Sequence, residues 1–406
     1  MAGPLSHIRV LDLSRVLAGP WASQNLADLG AEVVKIERPG SGDDSRAFGP
    51  PWIKDRDGRD TRDSAYFTSA NRGKKSITLN IASPEGSAIA RELVAKSDVL
   101  IENYKYGDLA RYGLGYEQLH ELNPRLVYCS VTGFGQTGPY RERPGYDFMI
   151  QGMGGMMSVT GEPDDAPGGG PQRAGVPIAD IITGMYASIA ICAALAHRER
   201  SGKGQHLDLA LLDSQIALLA YQNTNYFATG KPPKRIGNLH PNIVPYQPFR
   251  AADGEVILAC GNDNLYRKFC EAAGCAELAR DERFATNGKR VENRTELTRL
   301  LAEVFRKRTK REWLELLEAA GVPNGPINDV AQVFEEPQVK ARGVRLELDH
   351  PAAGRLPMVT SPMRFSETQL EYHRAPPLLG QHTDEVLRAL GKSDADLARL
   401  RAAKLI

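Results

Sequence analysis

Several catalytic and metal-binding signatures are absent from this chain of 406 residues. It has no GxSxG turn, which disfavours a serine hydrolase, and no phosphate-binding loop with its lysine. Its five cysteines and eight histidines form no CxxC or HExxH pair, so we expect neither a disulfide framework nor a bound metal. The turn after the first predicted strand lacks GxGxxG, so NAD is not favoured.

A charge excess and a long apolar run are also lacking. The formal net charge is +1, so no overall field favours nucleic acid or an anionic membrane as a partner, and any anion site must be local. The longest apolar stretch, residues 181–196, falls short of the roughly 20 residues that a membrane span needs. No signal-peptide pattern is present. We therefore expect a cytoplasmic protein, or a mitochondrial matrix protein if a transit peptide has been removed.

Predicted strands and helices alternate along the first half of the chain. Strands are expected at residues 8–12, 32–37, 76–80, 99–102, 126–131 and 206–212. This alternation predicts an α/β fold with an open, Rossmann-like parallel sheet, whose ligands bind beyond the carboxyl ends of the strands.

The length exceeds the roughly 250–300 residues at which single cores stop growing, so two domains are expected. The composition shifts at the run GKPPKR, residues 230–235. We predict a large Rossmann-like domain over residues 1–228 and a smaller α+β domain over 251–325. The remaining segments are a linker (229–250), an extended return linker (326–365) and a C-terminal segment (366–406) that completes the large domain.

Basic residues cluster next to the predicted strands. Individually, such cations are usually solvated surface charges. Together, beside the strands of an α/β sheet, they suggest a site for a phosphorylated, nucleotide-like ligand. The set is Arg38, Arg72, Lys74, Lys75, Lys105 and Arg111.

One carboxylate, Asp180, lies in apolar, glycine-rich surroundings at the start of a helix predicted over residues 181–199. As an aspartate just before an apolar periodic run, it suits a helix N-cap. It also suits a nucleophile, because a carboxylate can attack an activated acyl group, whereas Cys129 lies within an apolar strand. Both interpretations remain open on spacing alone.

Several motifs extend along essentially the whole chain. They include VLDL (10–13), AGP (18–20), GAEVVKIERPG (30–40), NRGKKS (71–76), ENY (102–104), SVTGFGQTGP (130–139) and LLGQHT (378–383). With these motifs the sequence resembles the class III CoA-transferases, the family of formyl-CoA transferase, carnitine CoA-transferase and the α-methylacyl-CoA racemases.

The resemblance implies a role for Asp180 as the catalytic aspartate, an interlocked homodimer, and CoA thioesters as substrates with no permanently bound cofactor. Extended segments that thread a partner chain would suit such a dimer. The residues implied to contact CoA are Val16, Leu17, Ala18, Arg38, Asn71, Arg72, Gly73, Lys74, Asn103, Tyr104, Lys105, Arg111, Tyr146 and Asp147.

Two departures narrow the choice within the family. Leu17 stands where formyl-CoA transferase has a glutamine, which argues against oxalate as the acceptor. Tyr146 stands where the racemases have a histidine, so the second acid/base group for α-proton exchange is missing. The runs at residues 243–249 and 321–328 look most like those of the succinate–glutarate (hydroxymethylglutarate) CoA-transferases.

We therefore expect transfer of CoA from an acyl-CoA, such as succinyl-CoA, to a free dicarboxylic acid such as glutarate, through an aspartyl-CoA thioester on Asp180. The helix N-terminus should lower the pKa of Asp180 and keep it ionised. Arg15 and His240 are candidates for binding the distal carboxylate of the acceptor, and Gly261 and Asn262 for a lid. The alternatives are an acyl-CoA epimerase or racemase, and a non-catalytic CoA-binding protein.

Overall fold

The computed structural model describes residues 2–406, which form two compact units. The first unit contains the chain up to Met156, Ala174–Thr229 and Lys340–Ile406. The second contains Met157–Arg173 and Gly230–Val339. The C-terminal segment therefore belongs to the first unit, although it is distant in sequence from most of that unit.

The elements alternate as the sequence predicts in the first half of the chain. The strands are β1 (Arg9–Asp12), β2 (Glu32–Glu37), β3 (Trp52–Lys54), β4 (Asp60–Ser64), β5 (Lys74–Thr78), β6 (Val99–Glu102), β7 (Val127–Thr132), β8 (His206–Ala210), β9 (Tyr246–Arg250), β10 (Glu255–Ala259), β11 (Asn324–Pro326), β12 (Arg345–His350) and β13 (Gly354–Val359). The α-helices are α1 (Ala18–Asp28), α2 (Ala65–Thr68), α3 (Pro84–Val94), α4 (Tyr116–Leu122), α5 (Asp147–Met153), α6 (Met156–Val159), α7 (Ile178–Ser201), α8 (Leu211–Leu218), α9 (Tyr221–Thr229), α10 (Asp263–Ala273), α11 (Ala276–Arg280), α12 (Asn287–Glu292), α13 (Arg294–Phe305), α14 (Lys310–Ala319), α15 (Val330–Glu335), α16 (Pro337–Ala341), α17 (Thr383–Ala389) and α18 (Asp394–Ala402).

The first unit is built on a six-stranded sheet with the order β5-β2-β1-β6-β7-β8. All five neighbouring pairs are parallel, as predicted. The chain moves from β1 toward one edge and then returns through β6 toward the other. The boundary between β1 and β6 is thus a topological switch point, where the loops after the two strands diverge and leave a crevice.

Side chains of the sheet alternate between two helical layers. Val10, Ile101 and Cys129 pack on one face, with α1 and α7, and their neighbours Leu11 and Leu100 pack on the other, with α3 and α18. Helix α7 is long and apolar enough to cross a membrane by length and composition. A buried helix of a globular core passes the same test, and much of α7 packs on α1 and the sheet.

The linkers differ from their predicted boundaries. The predicted linker, residues 229–250, belongs to the second unit from Gly230 onward and includes β9, which pairs with β10. The second unit also includes Met157–Arg173 and continues to Val339, beyond the predicted boundary at residue 325. Residues 326–365 are not simply extended, because they contain α15, α16 and the antiparallel hairpin β12–β13.

The segment after β8 forms two helices, α8 and α9. They are separated at Ala220, whose φ of 45° places it in the left-handed region, so a single helix cannot continue through it.

A network of buried charges lies under the carboxyl edge of the sheet. Lys35 pairs with Asp43 at 2.9 Å, and both side chains are fully buried. Lys74 pairs with Asp12 at 3.1 Å, again with full burial of both side chains. Burial alone would raise the pKa of Asp43, but the Lys35 ammonium and the hydrogen bonds from Ser45 hold that pKa far below its usual range. The Asp43 carboxylate is therefore ionised, and the Lys35 ammonium stabilises its negative charge.

Replacing Lys35 by methionine should lower the free energy of unfolding by about 3–5 kcal/mol, because it leaves a buried carboxylate without its cation. Lys54→Met is the matched control, since Lys54 pairs with Asp60 on the surface, where both side chains are more than half exposed. The control should change stability by no more than about 1 kcal/mol. Urea unfolding followed by circular dichroism measures both, and equal effects would contradict a stabilising role for the buried pair.

Candidate active site

An open cavity of about 150 Å³ lies beyond the carboxyl ends of β1, β6 and β7. All its lining residues belong to the first unit. It combines the loop after β1, the loop after β6 and the start of α7, as expected for a topological switch point. The lining residues are Arg15, Val16, Leu17, Ala18, Asp44, Asn103, Tyr104, Lys105, Tyr106, Val131, Thr132, Gly133, Arg141, Arg143, Pro144, Gly145, Tyr146, Asp180 and Leu211.

Asp180 is the third residue of α7, not its N-cap. The helix begins at Ile178, its N-cap is Pro177, and no side chain of the flanking segment caps it. The N-cap interpretation is therefore wrong. The Asp180 carboxylate is half-buried, and it forms no hydrogen bond or ion pair with any residue in the described range, 2–406. A carboxylate in this state is available for chemistry, because nothing in the fold occupies its oxygens.

The cap of α7 comes from another helix. Asp147, at the start of α5, accepts hydrogen bonds through Oδ1 from the backbone N–H groups of Ala179 (2.8 Å) and Asp180 (3.3 Å). These are two of the N–H groups that a helix N-terminus leaves without an internal partner. The sequence could not reveal this cap, because 33 residues separate donor and acceptor.

This arrangement reverses the predicted direction of the Asp180 pKa. Burial and the nearby negative charge of Asp147 raise the pKa of Asp180 to about 7. The helix N-terminus favours an anion, but the Asp147 carboxylate is bonded to the same N–H groups that would stabilise Asp180. A higher pKa makes Asp180 a more basic and more nucleophilic carboxylate whenever it is ionised.

Close packing of two helices directs Asp180 toward the loop after β1. A Cβ on Gly184 would approach the carbonyl oxygen of Ala18 to 2.6 Å, so α7 and the start of α1 can be this close only with glycine at 184. Asp180 lies one turn before Gly184 and hence on the same side of α7. The residue pattern Asp180-x-x-x-Gly184 thus places the carboxylate beside the N-terminus of α1.

The loop after β1 is held in a strained conformation. Val16 has a φ of 69°, a left-handed value that is rare for a β-branched residue. Its N–H donates to Asp43 at 3.1 Å. Asn103, after β6, accepts from the Arg15 N–H (2.8 Å) and donates to the Arg15 carbonyl (2.7 Å). These bonds fix the backbone of residues 15–18 along the cavity wall.

Several cationic side chains line the cavity. Of the six basic residues predicted to form an anion site, only Lys105 is among them. Arg15 pairs with Asp44 at 2.6 Å, and Lys105 is exposed at the cavity wall. Arg141 and Arg143 also line it and were missed at the sequence level, although they follow β7. Each stacks on aromatic rings, Arg141 on Tyr106 and Arg143 on Phe134 and Tyr140.

Arg38 lines a smaller cavity that also contains Arg15 and Tyr104. Because these two residues line both cavities, the smaller cavity adjoins the Asp180 cavity. Arg38 itself pairs with Asp44 at an exposed position.

Three predicted cations do not line the Asp180 cavity, because Arg72 precedes β5 and Lys74 and Lys75 begin it, whereas the cavity lies beyond the other end of the strands. Arg72 pairs with the buried Asp28 at the end of α1, and Lys75 pairs with Glu32 at the start of β2. Lys74 is fully buried and bonded to Asp12. These three residues do not line the cavity with Lys105, and their predicted contacts with CoA stay predictions.

Four further predicted CoA contacts, Asn71, Gly73, Arg111 and Asp147, are not part of the cavity wall. Asn71 is buried and bonds Lys74, and Gly73 donates its N–H to the carbonyl of Arg374. Arg111 pairs with Asp108 on the surface. Asp147 does not line the cavity but caps the helix that carries Asp180. Tyr146, at 68% exposure, does line it.

Tyr66 is a further residue near Asp180 that sequence reasoning missed. Burial, with added effects of the negative charges on Asp180 and Asp147, raises the pKa of Tyr66 to about 12. The phenol is thus protonated at neutral pH and can donate a hydrogen bond. No spacing signal connects residue 66 with residue 180.

The predicted substrate and lid residues of the second unit have local partners. His240 stacks edge-on against Tyr246, and its Nδ1 accepts from the N–H of Asn242 at 3.1 Å. Asn262 is the N-cap of α10, accepting from the Leu265 N–H at 2.9 Å, and Gly261 precedes it. Residues 261–264 thus begin a helix rather than form a simple β-turn. The proposed lid and substrate roles of Gly261, Asn262 and His240 stay predictions.

The chain belongs to CoA-transferase family III, whose sequence profile matches residues 5–383. A solved structure of a CaiB/BaiF family protein from Brucella suis is 51% identical, has a TM-score of 0.83, and covers 96% of this chain and 100% of that one. A structure of a Mycobacterium tuberculosis protein is 31% identical, has a TM-score of 0.82, and covers 95% of this chain and 99% of that one.

Two characterised relatives carry related names. The succinate–glutarate CoA-transferase of Agrobacterium fabrum is 51% identical over 387 residues, which cover 95% of this chain and 96% of that protein. The succinyl-CoA:glutarate CoA-transferase of Homo sapiens is 44% identical over 391 residues, which cover 96% of this chain and 87% of that protein.

Asp147→Asn should shift the acidic limb of the activity profile to lower pH. The nucleophile must be ionised, so activity falls as the pH decreases through the pKa of Asp180, near 7. Asparagine removes the like charge that helps to raise this pKa, while its carbonyl oxygen can still accept from the N-terminus of α7. The midpoint is read from kcat against pH for CoA transfer.

The control for this shift is Asp349→Asn, which removes an exposed carboxylate in β12. It should leave the midpoint in place. A midpoint that stays fixed or rises in Asp147→Asn would contradict the electrostatic coupling of the two aspartates.

Proposed function

We propose that the protein transfers CoA from succinyl-CoA to a free C5 dicarboxylic acid, glutarate, through a covalent aspartyl-CoA intermediate on Asp180. The observation that carries this proposal is the unpartnered Asp180 carboxylate beside a cavity with several cationic side chains. The names of the Agrobacterium fabrum and human relatives support the choice of donor and acceptor. We also propose that the protein is located in the cytoplasm.

The first half-reaction consists of two acyl substitutions. An Asp180 oxygen attacks the thioester carbon of succinyl-CoA, the C–S bond breaks, and CoA leaves as the thiolate, giving a succinyl-aspartyl anhydride. The thiolate then attacks the aspartyl carbonyl carbon and expels succinate, which leaves an aspartyl-CoA thioester.

The second half-reaction is the reverse sequence with the acceptor. A glutarate oxygen attacks the aspartyl carbonyl, releases CoA thiolate and forms an aspartyl-glutaryl anhydride. The thiolate attacks the glutaryl carbonyl and restores the Asp180 carboxylate. The thioester free energy is conserved, so no nucleotide hydrolysis is needed.

The N-terminus of α1 is the proposed source of oxyanion stabilisation. Leu17, the N-cap of α1, provides no side-chain cap, so the first N–H groups of the helix have no side chain of this segment as acceptor. Leu17 and Ala18 line the cavity that contains Asp180. Donors held in place by a strained loop suit the negative charge that develops on the attacked carbonyl.

The positive charge at the cavity wall is complementary to the negative charges of both substrates. Arg15, Arg141, Arg143 and Lys105 provide cations for the free carboxylate of succinyl or glutarate and for CoA. The adjoining cavity with Arg38 suits the rest of the CoA molecule. His240 remains a second candidate for the distal carboxylate, and Gly261 with Asn262 for the lid.

An acyl-CoA epimerase is the second candidate within this fold. Proton exchange at the α-carbon needs a second acid/base group, and the cavity has Tyr146 at the position where the racemases have a histidine. Deuterium uptake from D₂O at the α-carbon without any acceptor would favour epimerisation.

Asp180→Ala should abolish CoA transfer from succinyl-CoA to glutarate, because Asp44, the other carboxylate at the cavity wall, is paired with Arg15 and Arg38. We expect a loss of at least about 10⁴-fold in kcat, the scale on which nucleophile removal acts. Asp180→Asn is the isosteric control for folding, and its melting temperature should be near that of the wild type. Transfer is measured by chromatography of the CoA esters, with malonate, succinate and adipate as competing acceptors. Full activity of Asp180→Ala would refute the proposal.

We further propose that the chain forms a homodimer. Apolar side chains are exposed on α7, α8 and α9, including Ile189 at 60%, Phe227 at 77% and Ile216 at 44%. Exposed apolar side chains on three consecutive helices are typical of a protein interface.

Light scattering after size-exclusion chromatography should give twice the mass of one chain. The double variant Ile189→Asp with Phe227→Asp should shift the protein to monomer or to a soluble aggregate, because charge would be buried in the interface. Val330→Asp, which changes an equally exposed apolar residue of the second unit, is the control. A monomeric wild type would contradict this proposal.

A further inference from the structure

A buried glutamine stands behind the aspartate that caps α7. Gln151 is one helical turn after Asp147 on α5, and its side chain is completely buried. Its amide Nε2 donates to Asp147 Oδ2 at 2.7 Å. Asp147 Oδ1 is the oxygen that accepts from the N-terminus of α7. Each Asp147 oxygen therefore has a separate partner, and the carboxylate cannot rotate without breaking one of these bonds.

The same glutamine also fixes the segment that leads into α7. Its Oε1 accepts from the N–H of Ala174 at 2.9 Å, and Nε2 also approaches the carbonyl of Val176 at 3.4 Å. Among uncharged side chains of this length, only an amide offers a donor to a carboxylate and an acceptor to an N–H at one place. Gln151 thus connects Asp147, the approach to α7 and, through Asp147, the first turn that carries Asp180.

We propose that Gln151 is a positioning residue for the covalent step: it orients Asp147 so that the capped N-terminus of α7 presents Asp180 to the thioester. This inference rests on the proposed CoA-transfer function. Gln151 does not line the Asp180 cavity, so it acts on the reaction only through Asp147 and the backbone of α7. A misplacement of about 1 Å at a reacting group can cost on the order of 100-fold in rate.

The variant Gln151→Met tests this role, because methionine has a similar volume but lacks the donor and the acceptor of the side-chain amide. It should lower the single-turnover rate of succinate release from succinyl-CoA by at least about tenfold, the effect of losing one hydrogen bond to a charged group. The KM for succinyl-CoA should change by less than about twofold, since no substrate contact is removed. Omitting the acceptor isolates the first half-reaction.

A double variant distinguishes positioning from simple stability. In Asp147→Asn alone, the new amide group would face the Gln151 amide, donor against donor. In Gln151→Glu alone, two carboxylates would face each other. In the double variant Asp147→Asn with Gln151→Glu, the asparagine can donate to the new carboxylate, which can also accept from the Ala174 N–H. If the two substitutions acted independently, the relative rate of succinate release in the double variant would be the product of the two single relative rates. We expect the measured rate to exceed that product by at least about fivefold, because residues in contact couple.

The matched control is Gln215→Met, which also removes a buried glutamine amide, on α8, close to Gly154 at the end of α5. It has no hydrogen bond to Asp147, and its release rate should equal that of the wild type. If Gln151→Met lowers the melting temperature but leaves the rate unchanged, or if the double variant shows only the product of the single effects, the inference is wrong. If the wild type itself releases no succinate, the proposed function fails instead.

Discussion

The ion pair between Lys35 and Asp43 joins the loops that follow β1 and β2. Lys35 donates to the carbonyl of Ser14 at 2.6 Å, while Asp43 accepts from the N–H groups of Val16 and Ser45. Two charges buried together are costly unless each is paired, and here the pairing fixes a strained backbone at the cavity wall. The buried ion pair thus fixes the conformation of the loop after β1, which forms one wall of the crevice at the switch point. The placement of the α1 N-terminus opposite α7 depends on it.

The fold positions Asp180 through its backbone and its helix and leaves its carboxylate without a partner. Its backbone is capped by Asp147, its helix is brought against α1 by Gly184, and its own carboxylate has no partner in the described range of residues 2–406. Burial and a neighbouring negative charge raise its pKa, which increases its basicity. Membership in CoA-transferase family III and a cavity with several cations point to the same chemistry.

The sequence predicts local features of this architecture better than long-range ones. Alternating patterns place the six parallel strands, and the position of Asp180 at a helix start follows from local spacing. Lys74 and Lys75 begin β5, and their side chains pair with Asp12 and Glu32, which are long-range partners that local spacing does not reveal. The cap from Asp147 depends on a contact between distant segments and has no local signature. The pKa of Asp180 was predicted in the wrong direction for the same reason.

The central claim is that CoA becomes covalently attached to Asp180. The most direct measurement is mass spectrometry of the protein after incubation with succinyl-CoA without an acceptor, followed by peptide mapping. The account predicts an added mass of CoA less one water, confined to the peptide that contains Asp180, convertible to a hydroxamate by hydroxylamine and removed by glutarate. An unmodified protein that nevertheless forms glutaryl-CoA, or an adduct on another residue, would contradict it.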